Sequence, residues 1–272
     1  MQYDPIKRSL GKVFNLHPLL RALFYRLLDL LLLRSWYLRR ELRQWRLSAP
    51  DDARILDAGS GFGQYVWRLA RMGEDFQVTG VDVKKEQVAD CNAWFARAGL
   101  AARVHFRVQE LEVLHDEERY DLVLSVDVME HIEADEKVMQ NLCRALKPGG
   151  LLLISTPSDQ GGSDTRHHHQ EGPTGFIDEH VRDGYNRDDI RDKLLRAGFS
   201  EVEVAYTYGR PGSLAWKLSM KFPILMLNAS KVFFIVLPFY YLLAWPIACC
   251  LNYADLRQTH ASGTGLLVKA RR

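Results

Sequence analysis

The sequence predicts an α/β fold in which a mostly parallel sheet is covered by helices on both faces. Two observations lead there. From residue 53 to residue 156, apolar runs of strand length alternate with segments of helical length, the order that βα units impose. The first of those runs, Ile55-Leu56-Asp57, ends in an acid and enters Ala58-Gly59-Ser60-Gly61-Phe62-Gly63. Glycine has no Cβ, so such a turn takes positive φ and presents bare N–H groups to a ligand. Its 272 residues suffice for one sizeable core with additions.

In chain order, residues 19–47 read as one amphipathic helix. At about 100° per residue, Arg21, Arg26, Arg39, Arg40, Arg43 and Arg46 share one arc, opposite Leu20, Leu23, Phe24, Leu27, Leu31 and Leu38. A strand at 53–58 follows, then a helix at 64–72 that aims its N-terminal amides at the glycine turn. Next come strand 77–83, helix 85–98, strand 103–108, strand 121–126, helix 130–146 and strand 151–156. From Pro157 to Gly184 the composition shifts to Gly, Ser, His and Asp, a long surface segment over the carboxyl ends of the strands, where open α/β sheets bind ligands. A helix from Arg187 to Ala197 and a strand at 202–208 complete this part. Residues 232–251 then carry no charge, which meets the length of a membrane span. If they crossed a bilayer, the strand at 263–270 could not rejoin the sheet. The segment is therefore expected to leave and return on one side, with Pro238 and Pro246 supplying the breaks.

The spacing of the first motif is G-x-G-x-G, with Asp57 placed for an ammonium and Asp82, at the end of Val78-Thr79-Gly80-Val81-Asp82, placed for a ribose diol. Further on stand Val104-His105-Phe106-Arg107-Val108-Gln109-Glu110, Tyr120-Asp121-Leu122-Val123-Leu124-Ser125-Val126-Asp127-Val128-Met129-Glu130-His131-Ile132, and Leu146-Lys147-Pro148-Gly149-Gly150 before the strand Leu151 to Thr156. In this order the motifs resemble the class I S-adenosylmethionine-dependent methyltransferases over residues 53–210 and 263–271. The resemblance implies a Rossmann-like seven-stranded sheet, mostly parallel with an antiparallel last strand, an N-terminal helical extension and an apolar helical insertion before that strand. It implies S-adenosyl-L-methionine as cofactor, with Asp57, Gly59, Ser60, Gly61 and Gly63 at its methionine part. Asp82 and Val83 would meet the ribose, Gln109, Glu110 and Leu111 the adenine, and Ser125 would line the site. Where the family more often has Gly-Asp, this chain has Gln109-Glu110. His180, His131 and Asp127 are the candidate bases, and His180 and Tyr185 are expected to approach the acceptor.

Charge and composition narrow the partners. Basic and acidic residues nearly balance, at 36 and 34, but residues 1–50 hold ten Lys or Arg against three Asp or Glu. A basic extension (1–50) on a methyltransferase domain (51–272) whose apolar insertion covers about 215–258 suits an anionic membrane surface and a small lipophilic acceptor. A cap on the domain is the competing account of the apolar insertion, and self-association through it is left open. The expected location is the cytoplasm, at the inner face of the membrane. Asp29 interrupts the apolar run Leu27 to Leu33 and no cleavage site follows, so the N-terminal segment is read as retained. Four cysteines without C-x-x-C spacing indicate neither zinc nor disulfides. His167-His168-His169 lacks a carboxylate at ligand spacing, and no metal is expected. Three other readings compete: a non-catalytic membrane-binding scaffold, a nucleotide-dependent oxidoreductase, which the G-x-G-x-G spacing disfavours, and a nucleic-acid methyltransferase. The last lacks an Asn-Pro-Pro-Tyr-like motif after the fourth strand, and no nucleic-acid partner is expected.

Overall fold

Strands that are apolar on both faces need cover on both faces, and the chain supplies it with alternating helices. The structure is a computed structural model that describes residues 18–161, 181–230 and 232–272. Seven strands, β1 (Arg54–Ala58), β2 (Gln77–Asp82), β3 (Val104–Val108), β4 (Tyr120–Val126), β5 (Leu146–Pro157), β6 (Glu201–Thr207) and β7 (Gly265–Arg271), form one sheet in the order β3-β2-β1-β4-β5-β7-β6. All neighbouring pairs are parallel except those of β7, which runs antiparallel to both β5 and β6. The helices are α1 (Pro18–Leu31), α2 (Leu33–Arg46), α3 (Gln64–Ala70), α4 (Lys85–Arg97), α5 (Asp135–Ala145), α6 (Arg187–Arg196), α7 (Arg210–Trp216), α8 (Phe222–Ala229) and α9 (Phe233–Arg257).

The period-2 alternation of strands sorts successive residues into two cores. Ile55, Leu122 and Leu124 join Leu38, Leu42, Leu69, Trp94 and Phe95 on one face. Leu56, Val123 and Leu152 join Val138, Leu142, Ile190 and Leu194 on the other.

The N-terminal segment departs from the expected single helix. Leu32 is extended (φ −92, ψ 114) and divides it into α1 and α2. The polarity of α1 is also reversed: Leu19, Leu20, Leu23, Leu27 and Leu30 are exposed, while Arg21 and Tyr25 are buried. The reason is what they find inside. Arg21 donates to Asp90 Oδ2 at 2.6 Å and to the Phe62 carbonyl at 2.7 Å, and Tyr25 also donates to that carbonyl. Periodicity cannot see such partners from outside the window. Similarly, Met129–His131 forms a single 3₁₀ turn and α5 starts only at Asp135, so Glu130 and His131 do not open the long helix as expected.

The apolar insertion does leave and return on one side, but not by breaking at its prolines. α7, a π-helical turn at Lys217–Lys221 and α8 run outward; Ser230 is extended (φ −164, ψ 140); α9 runs back through Pro238 and Pro246 as one helix of 25 residues. Each proline removes one donor, which bends a helix without having to end it when packing holds both halves. Pro223 has a visible compensation. It cannot donate to the carbonyls one helical turn before it, those of Leu218 and Ser219, and these accept instead from the Tyr240 and Tyr241 hydroxyls of α9, each at 2.7 Å.

Candidate cofactor and acceptor site

The strand order reverses direction between β1 and β4, which opens a crevice at their carboxyl ends. The glycine turn lines it. Gly59 and Ser60 donate to the Val81 carbonyl at 2.9 and 2.8 Å. Gly61 donates to Asp82 Oδ2 and Lys84 to Asp82 Oδ1, both at 2.9 Å. Two glycines are required for different reasons. At Gly59 (φ 87) a Cβ would lie 2.3 Å from the Val128 side chain, whereas Gly61 (φ 51) faces open space, with nothing within 4 Å of the same atom. Space beside the Gly61 Cα is thus open to a ligand, but the N–H groups of the turn are not bare as expected: those of Gly59, Gly61 and Gly63 all donate within the protein.

Asp57, the next-to-last residue of β1, is 1 % exposed, and its Oδ2 has no hydrogen-bond partner. Burial, reinforced by the neighbouring Asp82 carboxylate, pushes its pKa up to about 8. The hydroxyls of Ser60 and Ser125 are likewise buried without partners. Unpartnered buried polar atoms each cost about 1–3 kcal/mol, and three of them lie on the turn and the two strands that frame the crevice. A ligand with a cationic ammonium and further polar groups would satisfy that donor and acceptor set. Along the same edge Val83 and Val108 are exposed, and Leu111 is buried at the start of a 3₁₀ turn (Leu111–Val113). Gln109 spends its side-chain amide on the Glu110 and Val113 carbonyls, at 3.1 and 3.0 Å, and Glu110 is exposed.

The carboxyl ends of β4 and β6 carry two non-glycine residues at positive φ, Asp127 (52°) and Tyr208 (54°). Both touch one residue. Arg34 of α2 pairs with Asp127 Oδ2 at 2.5 Å, and its backbone N–H donates to the Tyr208 hydroxyl at 3.0 Å. Backbone of this kind costs about 1–3 kcal/mol and collects at functional sites. Beside Asp127 lies Glu130, 1 % exposed, accepting from the Thr156 hydroxyl at 3.0 Å. Burial, then the Asp127 charge, raises its pKa to about 7. The sequence left Glu130 between a dipole-complementing acid at a helix start and a pocket role; its burial comes from β5 across the sheet, which no local pattern encodes. Arg34 was missed for the same reason.

His131 is exposed on its 3₁₀ turn. His180 and the His167–His169 triplet lie outside the described residues. Tyr185, expected near the acceptor, is a brace instead: it is buried, and its hydroxyl donates to Asp135 Oδ2 at 2.8 Å and to the Met129 carbonyl at 3.1 Å. Among the described residues no cluster of three or more His, Cys, Asp or Glu is arranged to hold a metal ion.

A family model described as a methyltransferase domain matches residues 50–189, just over half of the chain. The chain belongs to the class I S-adenosylmethionine-dependent methyltransferases. Its relatives include ubiquinone biosynthesis O-methyltransferases. That of Bradyrhizobium diazoefficiens is 36% identical over 111 residues, covering 40% of this chain and 42% of the relative. That of Rickettsia bellii is 31% identical over 106 residues, covering 39% and 42%. The match thus spans about two-fifths of the length of these relatives. Among solved structures, a Haemonchus contortus phosphoethanolamine N-methyltransferase 2 with S-adenosyl-L-methionine aligns with a TM-score of 0.56 at 22% identity, over 81% of this chain and 48% of that one. A methyltransferase from Aquifex aeolicus aligns at 0.53 and 21%, over 77% and 95%. These similarities establish the methyltransferase's fold, and the family uses S-adenosylmethionine.

Proposed function

We propose that this methyltransferase moves the methyl group of S-adenosylmethionine to a small lipophilic acceptor that it meets at a membrane surface. The observation that carries the reading is the placement of the apolar hairpin. It springs from the end of β6 and returns into the start of β7, so its base stands at the same sheet edge as the glycine turn. Its outer part exposes Phe234, Ile235, Phe239, Leu242, Leu243 and Ile247, with Leu243 at 76 %. α9 is long and apolar enough to cross a membrane, though only 11% of its apolar window is buried. An apolar surface of this extent marks a membrane, ligand or protein contact, and a hairpin that re-enters the sheet favours lying in an interface over crossing it. The likeness to ubiquinone biosynthesis enzymes points to the same acceptor chemistry. A cytoplasmic enzyme held at the inner membrane face fits both features.

In this reading Asp57, with Ser60 and the backbone of Gly59, Gly61 and Gly63, holds the methionine part; Asp82 holds the ribose, with Val83 beside it. Gln109, Glu110 and Leu111 surround the adenine, and the Ser125 hydroxyl completes the floor. The cofactor supplies an electrophilic methyl on a sulfonium. The protein's work is to align the acceptor with it, exclude water and take the acceptor's proton. Asp127, His131 and His180 are the proposed proton acceptors, and Glu130 joins them because its carboxyl titrates near neutrality.

The test is product identification. The protein is incubated with methyl-labelled cofactor and a total lipid extract of its source, and label is followed into the organic phase. Label in an extractable product supports the reading. Cofactor binding with no product from any extract would instead make the protein a membrane-binding scaffold.

A further inference from the structure

Five arginines line a cavity of about 320 Å³ between the N-terminal helices and α3, and none of the residues that line the crevice described above lines it. Three helices each turn one face toward it. α1 gives Arg26 and Asp29, α2 gives Arg39 and Arg43 one turn apart, and α3 gives Trp67 and Arg68, with Arg71 at its C-terminal cap. Asp29 is the sole carboxylate in the lining, and it is committed: it pairs with Arg68 and accepts from the Gln64 amide at 2.9 Å. Among the described residues, Arg26, Arg39, Arg43 and Arg71 have no ion-pair partner. The Nε atoms of Arg39 and Arg68 are buried with no acceptor, and Arg71 rests over the Trp67 ring at 5.1 Å. Burial and the adjacent Arg68 guanidinium together lower the Arg39 pKa from its ordinary value.

Five like charges gathered around a single carboxylate repel one another, and buried donors without acceptors add to the cost. Stability alone would select against such an arrangement, while a tetrahedral oxyanion would resolve it, because guanidinium groups match its oxygens bidentately. We propose that the α1–α2–α3 cavity is a binding site for a phosphate-bearing anion. The cavity is too small for a folded partner and has the size of a phosphorylated headgroup or a small phosphorylated metabolite. One neighbour bears on the source. At about 100° per residue, Arg26 lies at the edge of the outward arc of α1 that holds Leu19, Leu30, Leu23 and Leu27, so the arginines border an exposed leucine stripe. That is the arrangement by which a lipid phosphate and its chains would be met together.

The probes are inorganic phosphate, followed by calorimetry, and phosphatidylcholine vesicles with and without phosphatidic acid, followed by flotation, all on the full chain. Binding of S-adenosylhomocysteine serves as the fold control. The wild type is expected to bind phosphate, and the Arg39→Gln, Arg43→Gln double variant to bind it at least tenfold more weakly. Arg97→Gln, which removes one charge at an exposed position of α4, should have no such effect. If the double variant does not fold, Arg71→Gln, at an exposed position, is read in its place. A parallel loss of phosphatidic-acid-dependent flotation assigns the site to a lipid headgroup; a loss of phosphate binding alone assigns it to a soluble phosphorylated ligand. No phosphate binding by the wild type, or equal weakening by Arg97→Gln, overturns the proposal. Binding to pure phosphatidylcholine depends on the hairpin and should survive the arginine changes, so failure of this site and failure of the membrane reading are separable.

Discussion

A carboxyl group at 1 % exposure with an unpartnered oxygen, as at Asp57, is a statement about stability as well as binding. Its pKa rises from an ordinary 3.8 to about 8, so the fold prefers the protonated form. That contribution is fully present below about pH 4 and is lost as pH rises through about 8. Asp57→Asn, neutral at every pH, should therefore raise the melting temperature of the ligand-free protein at pH 8 by several degrees and change it little at pH 4; thermal scans across that range check it. Binding a ligand ammonium beside Asp57 should ionise it, so titration at pH 7 in buffers of different ionisation enthalpy should register proton release, absent in Asp57→Asn. Glu130 gives a second pH signature. Its value of about 7 predicts a rate that climbs through pH 7 as the carboxylate forms, and Glu130→Gln should flatten that limb; an unchanged limb would assign it to another group. At this scale the sequence disclosed what local pattern encodes. Asp57, the glycines and Asp82 announce themselves because strand, turn and helix are contiguous. Arg34, which joins Asp127 to Tyr208 across the sheet edge, carries no such mark.

Among the elements, the hairpin shows where propensity reasoning fails. Two prolines in an uncharged run suggest breaks, yet α9 passes through both and the chain reverses at Ser230. Topology was the better guide: a strand that must return to the sheet requires a returning helix. The Tyr240 and Tyr241 hydroxyls that serve the carbonyls freed by Pro223 give a direct test. Replacing both with Phe leaves two carbonyls unpartnered, each worth about 1–3 kcal/mol where buried. Hydrogen exchange should accelerate in 217–229 and in the outer half of α9 while the central strands stay protected. At the hairpin's outer face, Leu242→Glu with Leu243→Glu should leave the melting temperature within about 1 °C, since surface changes rarely exceed about 0.5 kcal/mol, but should abolish flotation with neutral vesicles. Retained flotation would make that face a cap or a contact between copies of the chain. The reversed polarity of α1 has the same lesson as Arg34. Leucines at helical spacing identify an apolar face, but whether that face meets protein or another apolar phase is decided by partners far along the chain.

Over the whole molecule, the N-terminal helices, the hairpin and the sheet edge are tied together at a few buried polar junctions. Asp255 of α9 accepts from the Tyr37 hydroxyl at 2.8 Å and from the Gly212 N–H at 2.9 Å, and it is fully buried. Leu38, Leu42 and Trp45 of α2 share the core with Leu69 of α3 and Phe76. The strand order was legible because alternation, the returning final strand and the motif order agree with one another; the way the first helices fold onto the glycine turn was not, since it rests on contacts between residues far apart in sequence. All of it converges on one claim, that the crevice between β1 and β4 holds S-adenosylmethionine through Asp57, Asp82 and the turn they frame. Calorimetric titration of the wild type and a folded Asp82→Ala variant with S-adenosylhomocysteine tests that claim most directly. The account predicts one site per chain and a loss on the order of 1.5–3 kcal/mol in the variant, the size of a charge-assisted hydrogen-bonded contact. Equal affinity in the two proteins would contradict it.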